Sequence, residues 1–206
     1  MSKSKEQIEV RHIAGTVELR EDGEGGTRKL VGMAPPWNTP SADGALPGFR
    51  EIMERGAFSN LSDDIIATVE HDNRSIIGRT SAGTLSLRDT DDGLVYEVDL
   101  PDTTAARDLA ESVRRGDVSH SSFEFIVKKG GDRWVEEGES ITRTVKRDGA
   151  LLRQVGPVAR AAYPDAAPVA LRSMESWRRE TAEEAAERES SRNRNRLALA
   201  EAETSL

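Results

Sequence analysis

Short runs of alternating apolar and polar residues, broken by turn-forming clusters, fill the first two thirds of the chain. They constrain the fold more than any other feature. The clearest case is TLSLRDT and GLVYEVDL, residues 84–90 and 93–100, which flank an Asp-Asp-Gly turn. This is the pattern of a β-hairpin, in which a side-chain period of two sends one face to a core and the other to water. IEVRHIAGTVELR (8–20), with Gly15 as a bend, and RKLVGMA (28–34) follow the same rule on either side of EDGEGG, and read as a second hairpin. FREIM (49–53) and IIATVEH (65–71) add two strands. SHSSFEFIVKK (119–129), DRWVEE (132–137), ESITRTVKR (139–147) and ALLRQVGPVAR (150–160) read as four more. RGAFSNL (55–61) reads as a short helical turn.

One segment breaks the strand pattern. TTAARDLAESVRRG (103–116) places Leu109 and Val113 on one helical face, with Asp102 or Thr103 able to cap its start. Arg114 and Arg115 suit the negative end of a helix, and Gly116 suits its stop. PPWNTPSADGALPG (35–48) holds four prolines and two glycines and reads as a loop. Its length marks either a binding or active-site loop or a solvated excursion. The composition shifts at about Ser173. Fourteen charged residues follow, and beyond alanine the apolar ones are only Met174, Trp177, Leu197, Leu199 and Leu206. Such a segment has little face to bury, so it reads as a solvated helix, a partner-dependent coil or a disordered tail. The expected division is a folded domain over 1–172 and a charged tail over 173–206.

Composition narrows the functions. A formal net charge of −8 argues against a general nucleic-acid binder. The absence of cysteine removes disulfides, thiolate metal sites and a thiol nucleophile. No stretch approaches the ~20 apolar residues of a membrane helix, and MSKSKEQIEV carries charges in place of a secretory apolar run. These features predict a soluble, cytoplasmic chain. DTDDG (89–93) and SDD (62–64) lack the spacing of a calcium loop and read as turns. No phosphate-cradling glycine loop and no GxSxG elbow is present, so no cofactor or metal is expected. A glycosidase-type carboxylate pair has 37 acidic residues to draw on, and nothing selects two of them.

GDVSHSSFEF (116–125) is the segment with chemical content. On a strand, Phe123 and Phe125 share one face, and His120, Ser122 and Glu124 share the other. A serine hydroxyl becomes a nucleophile only when a base takes its proton. His120 is on the same face, but neighbours at i, i+2 lie about 6–7 Å apart. His71, where a strand meets a loop, is the candidate base from elsewhere in the fold. The competing reading is a polar strand face with a structural histidine. His12, in the first strand, reads as structural or exposed.

Taken in order, the segments resemble the phage prohead (capsid maturation) proteases of the HK97 type. The stretches that carry the resemblance are REIMERGAFSNL (50–61), residues 69–125 from VEHDNRSIIGR to HSSFEF, and LLRQVGPVARAAYPDA (151–166). The resemblance covers roughly residues 8–172. It implies a mainly β, α+β fold, related to the herpesvirus assemblins: a closed β-barrel of six or more strands with surrounding helices. It implies a serine endopeptidase with His71 as base and Ser122, directly before Phe-x-Phe, as nucleophile; Ser121 would turn to the other face. The third member falls on Gln154, where the family carries an acid, with Glu124 and His120 as alternatives. Backbone N–H groups at Arg160 and Ala161 are the implied oxyanion donors.

The implied partners are scaffold protein, the scaffold segment of the capsid protein, and the chain itself as substrate or oligomer partner. The implied place is the procapsid in the host cytoplasm. Gln154 keeps a second expectation open, an assembly or scaffold protein with a protease fold and a weak or inactive site. A third is an unrelated β-barrel enzyme that works with carboxylates.

Overall fold

The computed structural model describes residues 7–21, 28–159 and 167–204. It divides into two units, Met1–Val169 and Ala170–Leu206. Twelve strands and one helix of the first unit lie among the described residues: β1 (Glu9–Ile13), β2 (Glu18–Glu21), β3 (Arg28–Pro36), β4 (Arg50–Met53), β5 (Ile66–Thr68), β6 (Ile76–Arg79), β7 (Leu85–Asp89), β8 (Gly93–Asp99), α1 (Thr104–Arg115), β9 (His120–Val127), β10 (Asp132–Glu137), β11 (Ser140–Val145) and β12 (Ala150–Val158).

The strands form three open sheets, ordered β1-β9-β12-β5-β6, β10-β11-β4 and β2-β3-β8-β7. The expected closed barrel is therefore wrong, as is the expectation of several surrounding helices. A barrel closes only when its two edge strands share a ladder. Among the described residues, the edges of the five-stranded sheet, β1 and β6, are not paired with each other. Among the described residues no ladder joins one sheet to another; side chains and a few loop backbone bonds do.

The apolar junction is aromatic. Phe58 sits 6.1 Å from Phe123 and 6.2 Å from Phe125, ring to ring, and Phe123 stacks on Phe125 at 5.4 Å. All three are buried, so truncating one to alanine should cost about 3–5 kcal/mol. The polar junction is a buried ion cluster. Arg11 of β1 reaches Glu51 of β4 at 2.6 Å and Glu9 at 2.7 Å. Arg143 of β11 reaches Glu9 at 2.6 Å, Glu51 at 3.0 Å and Asp132 at 2.8 Å. Burial alone would raise the Glu51 carboxyl, but the two guanidiniums outweigh it and hold it below the usual carboxylate range.

α1 begins where Thr103 accepts the Ala106 N–H and ends at Gly116, whose φ of 82° is left-handed. Its buried residues Ala106, Leu109, Ala110 and Val113 form the predicted apolar face. RGAFSNL is not helical. Its Phe58 makes an isolated parallel bridge with Ala150, which places the ring in the core. The loop between β3 and β4 is laid along β4: Asn38 N–H donates to Met53 C=O and Ser41 N–H to Glu51 C=O, both at 2.8 Å.

α2 (Ala167–Thr204, 38 residues) starts at the end of the first unit and supplies the described residues of the second. Its alanines, glutamates and arginines favour a helix, and Glu184–Arg188 is an i,i+4 pair at 3.5 Å. Glu175 and most residues from Arg178 to Arg192 are exposed, in keeping with the missing apolar stripe. Among the described residues, no helix is long and apolar enough to cross a membrane.

Candidate active site

Three adjacent strands of the five-stranded sheet supply the site. β9 and β12 are antiparallel neighbours, and β12 pairs in parallel with β5. The β12–β5 contact is close: a Cβ on Gly156 would stand 1.8 Å from the Thr68 carbonyl oxygen, so only glycine fits. Three residues after Thr68, the chain turns back over β12 and delivers His71 towards β9.

That turn is strained. Glu70 and His71 have φ of 53° and 58°, and two consecutive non-glycine residues in the left-handed region are uncommon. Local bonds hold them there. Glu70 N–H donates to Pro157 C=O at 3.1 Å, and its carboxylate accepts the Ala159 N–H at 2.5 Å. Asp72 accepts the Arg74 N–H at 2.9 Å, a side-chain-capped turn directly after the histidine.

The ring nitrogens of His71 meet three side chains. Its Nε2 is in hydrogen-bond contact with Ser122 Oγ. Its Nδ1 lies 2.6 Å from Gln154 Oε1 and 3.2 Å from Glu124 Oε1. Both Nδ1 neighbours are acceptors, since a carboxylate donates nothing. Nδ1 therefore carries the hydrogen in the neutral ring, and Nε2 is left to accept from Ser122. Gln154 is itself oriented, because its Nε2 donates to Asn73 Oδ1 at 3.2 Å and turns its oxygen towards His71.

The faces of β9 alternate as read from the sequence. Ser122 turns to His71, while Ser121 donates to the buried Tyr96 hydroxyl at 3.0 Å. Burial pushes the Tyr96 phenol up, keeping it neutral. His120, the other alternative, contacts Ser119 Oγ at 3.0 Å. Arg160 and Ala161 lie outside the described residues. The acidic clusters serve as turns and ion-pair partners: Asp89 accepts from the Trp37 indole at 2.9 Å, Arg55 pairs with Asp91 at 2.6 Å, and Arg79 pairs with Asp64 at 2.5 Å.

Three neighbours of the serine and histidine were given no place in the site from the sequence, where His12 reads as structural or exposed. The Arg11 carbonyl accepts from Ser122 Oγ at 3.0 Å, so it competes with Nε2 for the hydroxyl proton. Asn73, two residues after His71, orients Gln154. His12 stands directly across from Ser122 in the β1–β9 register and meets His71 edge to face, centroids 6.0 Å apart. Burial, together with His71, His120 and Arg11, pushes His12 down to about 4. It is neutral near pH 7, and its Nδ1 is buried with no hydrogen-bond partner among the described residues.

The chain is similar in fold to the bacteriophage T4 capsid assembly protease, with a TM-score of 0.50 and 10% identity over 74% of this chain and 96% of that one. The fold is thus of protease type. The model of the caudovirus prohead serine protease family matches residues 11–180, and the chain belongs to that family. Membership gives it a prohead-protease-like role in capsid maturation. A search of curated proteins found no significant match.

Proposed function

We propose that the chain is a serine endopeptidase of procapsid maturation, with Ser122 as nucleophile and His71 as general base. The observation that carries this reading is the contact between His71 Nε2 and Ser122 Oγ, two side chains 51 residues apart in sequence. Ser122 Oγ attacks a peptide carbonyl as its proton passes to Nε2. The C–N bond then breaks, and Nε2 returns the proton to the leaving amine. Water repeats the sequence on the acyl-enzyme, with His71 again as base.

The third role is divided. Gln154 fixes the ring and its tautomer but has no charge with which to stabilise imidazolium. Glu124, 3.2 Å from Nδ1, has the charge. Its side chain is 21% exposed, so solvent screens part of the attraction. Backbone N–H groups at Arg160 and Ala161 are assigned to the oxyanion, where removing one donor costs about 3–4 kcal/mol.

The substrates of this reading are scaffold protein, the scaffold segment of the capsid protein, and the chain itself, within the procapsid of the host cytoplasm. The charged segment that forms α2 is either a scaffold-like element removed on maturation or a solubilising helix. No cofactor, nucleic acid or membrane enters the scheme. One observation favours a second reading, a weak or inactive assembly protein: the amide of Gln154 stands where a carboxylate would complete a charged triad.

Co-expression with the capsid and scaffold proteins of the same virus separates the two. The endopeptidase reading expects cleavage products that vanish in Ser122→Ala and His71→Ala. Partner binding without cleavage by the unmodified chain supports the assembly protein. Cleavage that persists in Ser122→Ala removes Ser122 as nucleophile.

A further inference from the structure

A cavity of about 270 Å³ lies beside β1. Arg11, His12 and Ile13 form one wall, and Pro40, Ala45 and Leu46 of the proline-rich loop form the other. The two charged side chains that border it, Arg11 and Glu51, are bonded to each other at 2.6 and 2.8 Å, which leaves the lining predominantly apolar. The loop wall is fixed. Besides the two backbone bonds to β4, Ser41 Oγ accepts the Glu51 N–H at 3.0 Å, and Leu46 is buried.

The cavity and the site share strand β1. The same Arg11 that lines the cavity accepts the Ser122 hydroxyl on its carbonyl, and the same His12 faces Ser122 across the ladder. β1 is also the end strand of its sheet. An extended peptide lying along such a strand sends alternate side chains to one face, and adjacent pockets then select among them. The volume falls below the ~300–1,000 Å³ usual for a small-molecule pocket, so it suits one side chain better than a cofactor.

We infer that this cavity is a substrate subsite that takes one large apolar side chain of the extended peptide cleaved at Ser122. The loop of residues 37–49 sets the preference. This rests on the endopeptidase reading. The loop stands out in the sequence for its prolines and length, and the assignment gives that feature a use.

The test has two arms. In the first, the full chain digests a proteome-derived peptide library, and cleavage sites are mapped by mass spectrometry. Leu, Ile, Met or Phe should be enriched at one position near the scissile bond. Ala45→Trp, or the milder Ala45→Leu, should lower kcat/KM about 10–200-fold for peptides with such a residue there, and leave peptides with Ala or Gly there nearly unchanged. Cleavage without that enrichment, or an equal loss for both peptide sets, overturns the inference.

In the second arm, Ser122→Ala is titrated with N-acetyl-leucinamide and N-acetyl-asparaginamide and followed by NMR. Shifts at Ile13, Ala45 and Leu46 with the leucine compound alone, abolished by Ala45→Trp, support the subsite. No shifts there overturn it even if the enzyme cleaves. Shifts without cleavage of any library member overturn the endopeptidase reading alone.

Discussion

The Glu124 carboxylate lies 3.2 Å from Nδ1 of His71, on the side of the ring opposite Ser122. Glu124 and Ser122 are i, i+2 on β9, so one strand face carries both the proposed nucleophile and a negative charge for its proposed base. Gln154 approaches the same nitrogen from β12. In the proposed mechanism the charge and the orienting bond of a triad are therefore divided between two residues. Gln154→Leu and Glu124→Gln should each lower kcat/KM by about 10–100-fold, and the double variant by less than the product, because both act through one imidazole. Gln154→Glu should keep or raise activity. Equal rates in Glu124→Gln and the unmodified chain would remove the carboxylate from the mechanism.

The site depends on the spacing of β5 and β12. Gly156→Ala would place a methyl 1.8 Å from the Thr68 carbonyl oxygen, and the strands must part to admit it. Chemical denaturation should show a loss of about 1–3 kcal/mol, and cleavage should fall further than unfolding explains, since the turn bearing His71 follows β5. Unchanged stability would show that the strands are not held this close.

The ion cluster predicts a large asymmetry. Arg143→Ala leaves Glu9 and Glu51 buried with one guanidinium in place of two, and should destabilise by about 3–5 kcal/mol in urea titration. Arg143→Ala combined with Glu9→Gln should recover part of that loss, because a charge is removed along with its partner.

His12 makes stability depend on pH. Its value falls from the usual 6.5 to about 4 in the fold, so the unfolded chain binds a proton that the native chain refuses. The stabilisation is complete above about pH 6.5 and is lost as pH falls towards 4. Thermal melts should show Tm decreasing from pH 7 to pH 5, above the range in which carboxylates protonate, and His12→Asn should flatten that decrease. An equally steep decline in His12→Asn would place its origin elsewhere.

Local chemistry made much of this legible in the sequence. The hairpin of β7 and β8, the capped helix α1 and the four strands from β9 to β12 follow from period-two alternation, turn residues and an N-cap. The turn of Ser122 to His71 and of Ser121 to Tyr96, on opposite faces of β9, follows from the same period. Sheet closure was not legible, because no local pattern says whether β1 and β6 meet. β6 was hidden too, since Ile76–Arg79 is short and continues straight from a turn. The partnership of His12 with Ser122 depends on the register of strands more than a hundred residues apart. The left-handed Glu70 and His71 carry no glycine or asparagine to announce them.

The proposed activation of Ser122 by His71 can be tested without knowing the substrate. The full chain would be treated with a fluorophosphonate, whose phosphorus is attacked by an activated serine oxygen with loss of fluoride, and the adduct followed by intact-mass and peptide-mapping spectrometry. One adduct per chain is expected, on Ser122, formed at least about 100-fold more slowly in His71→Ala. An adduct on another residue, no adduct at all, or an equal rate in His71→Ala would contradict the proposal.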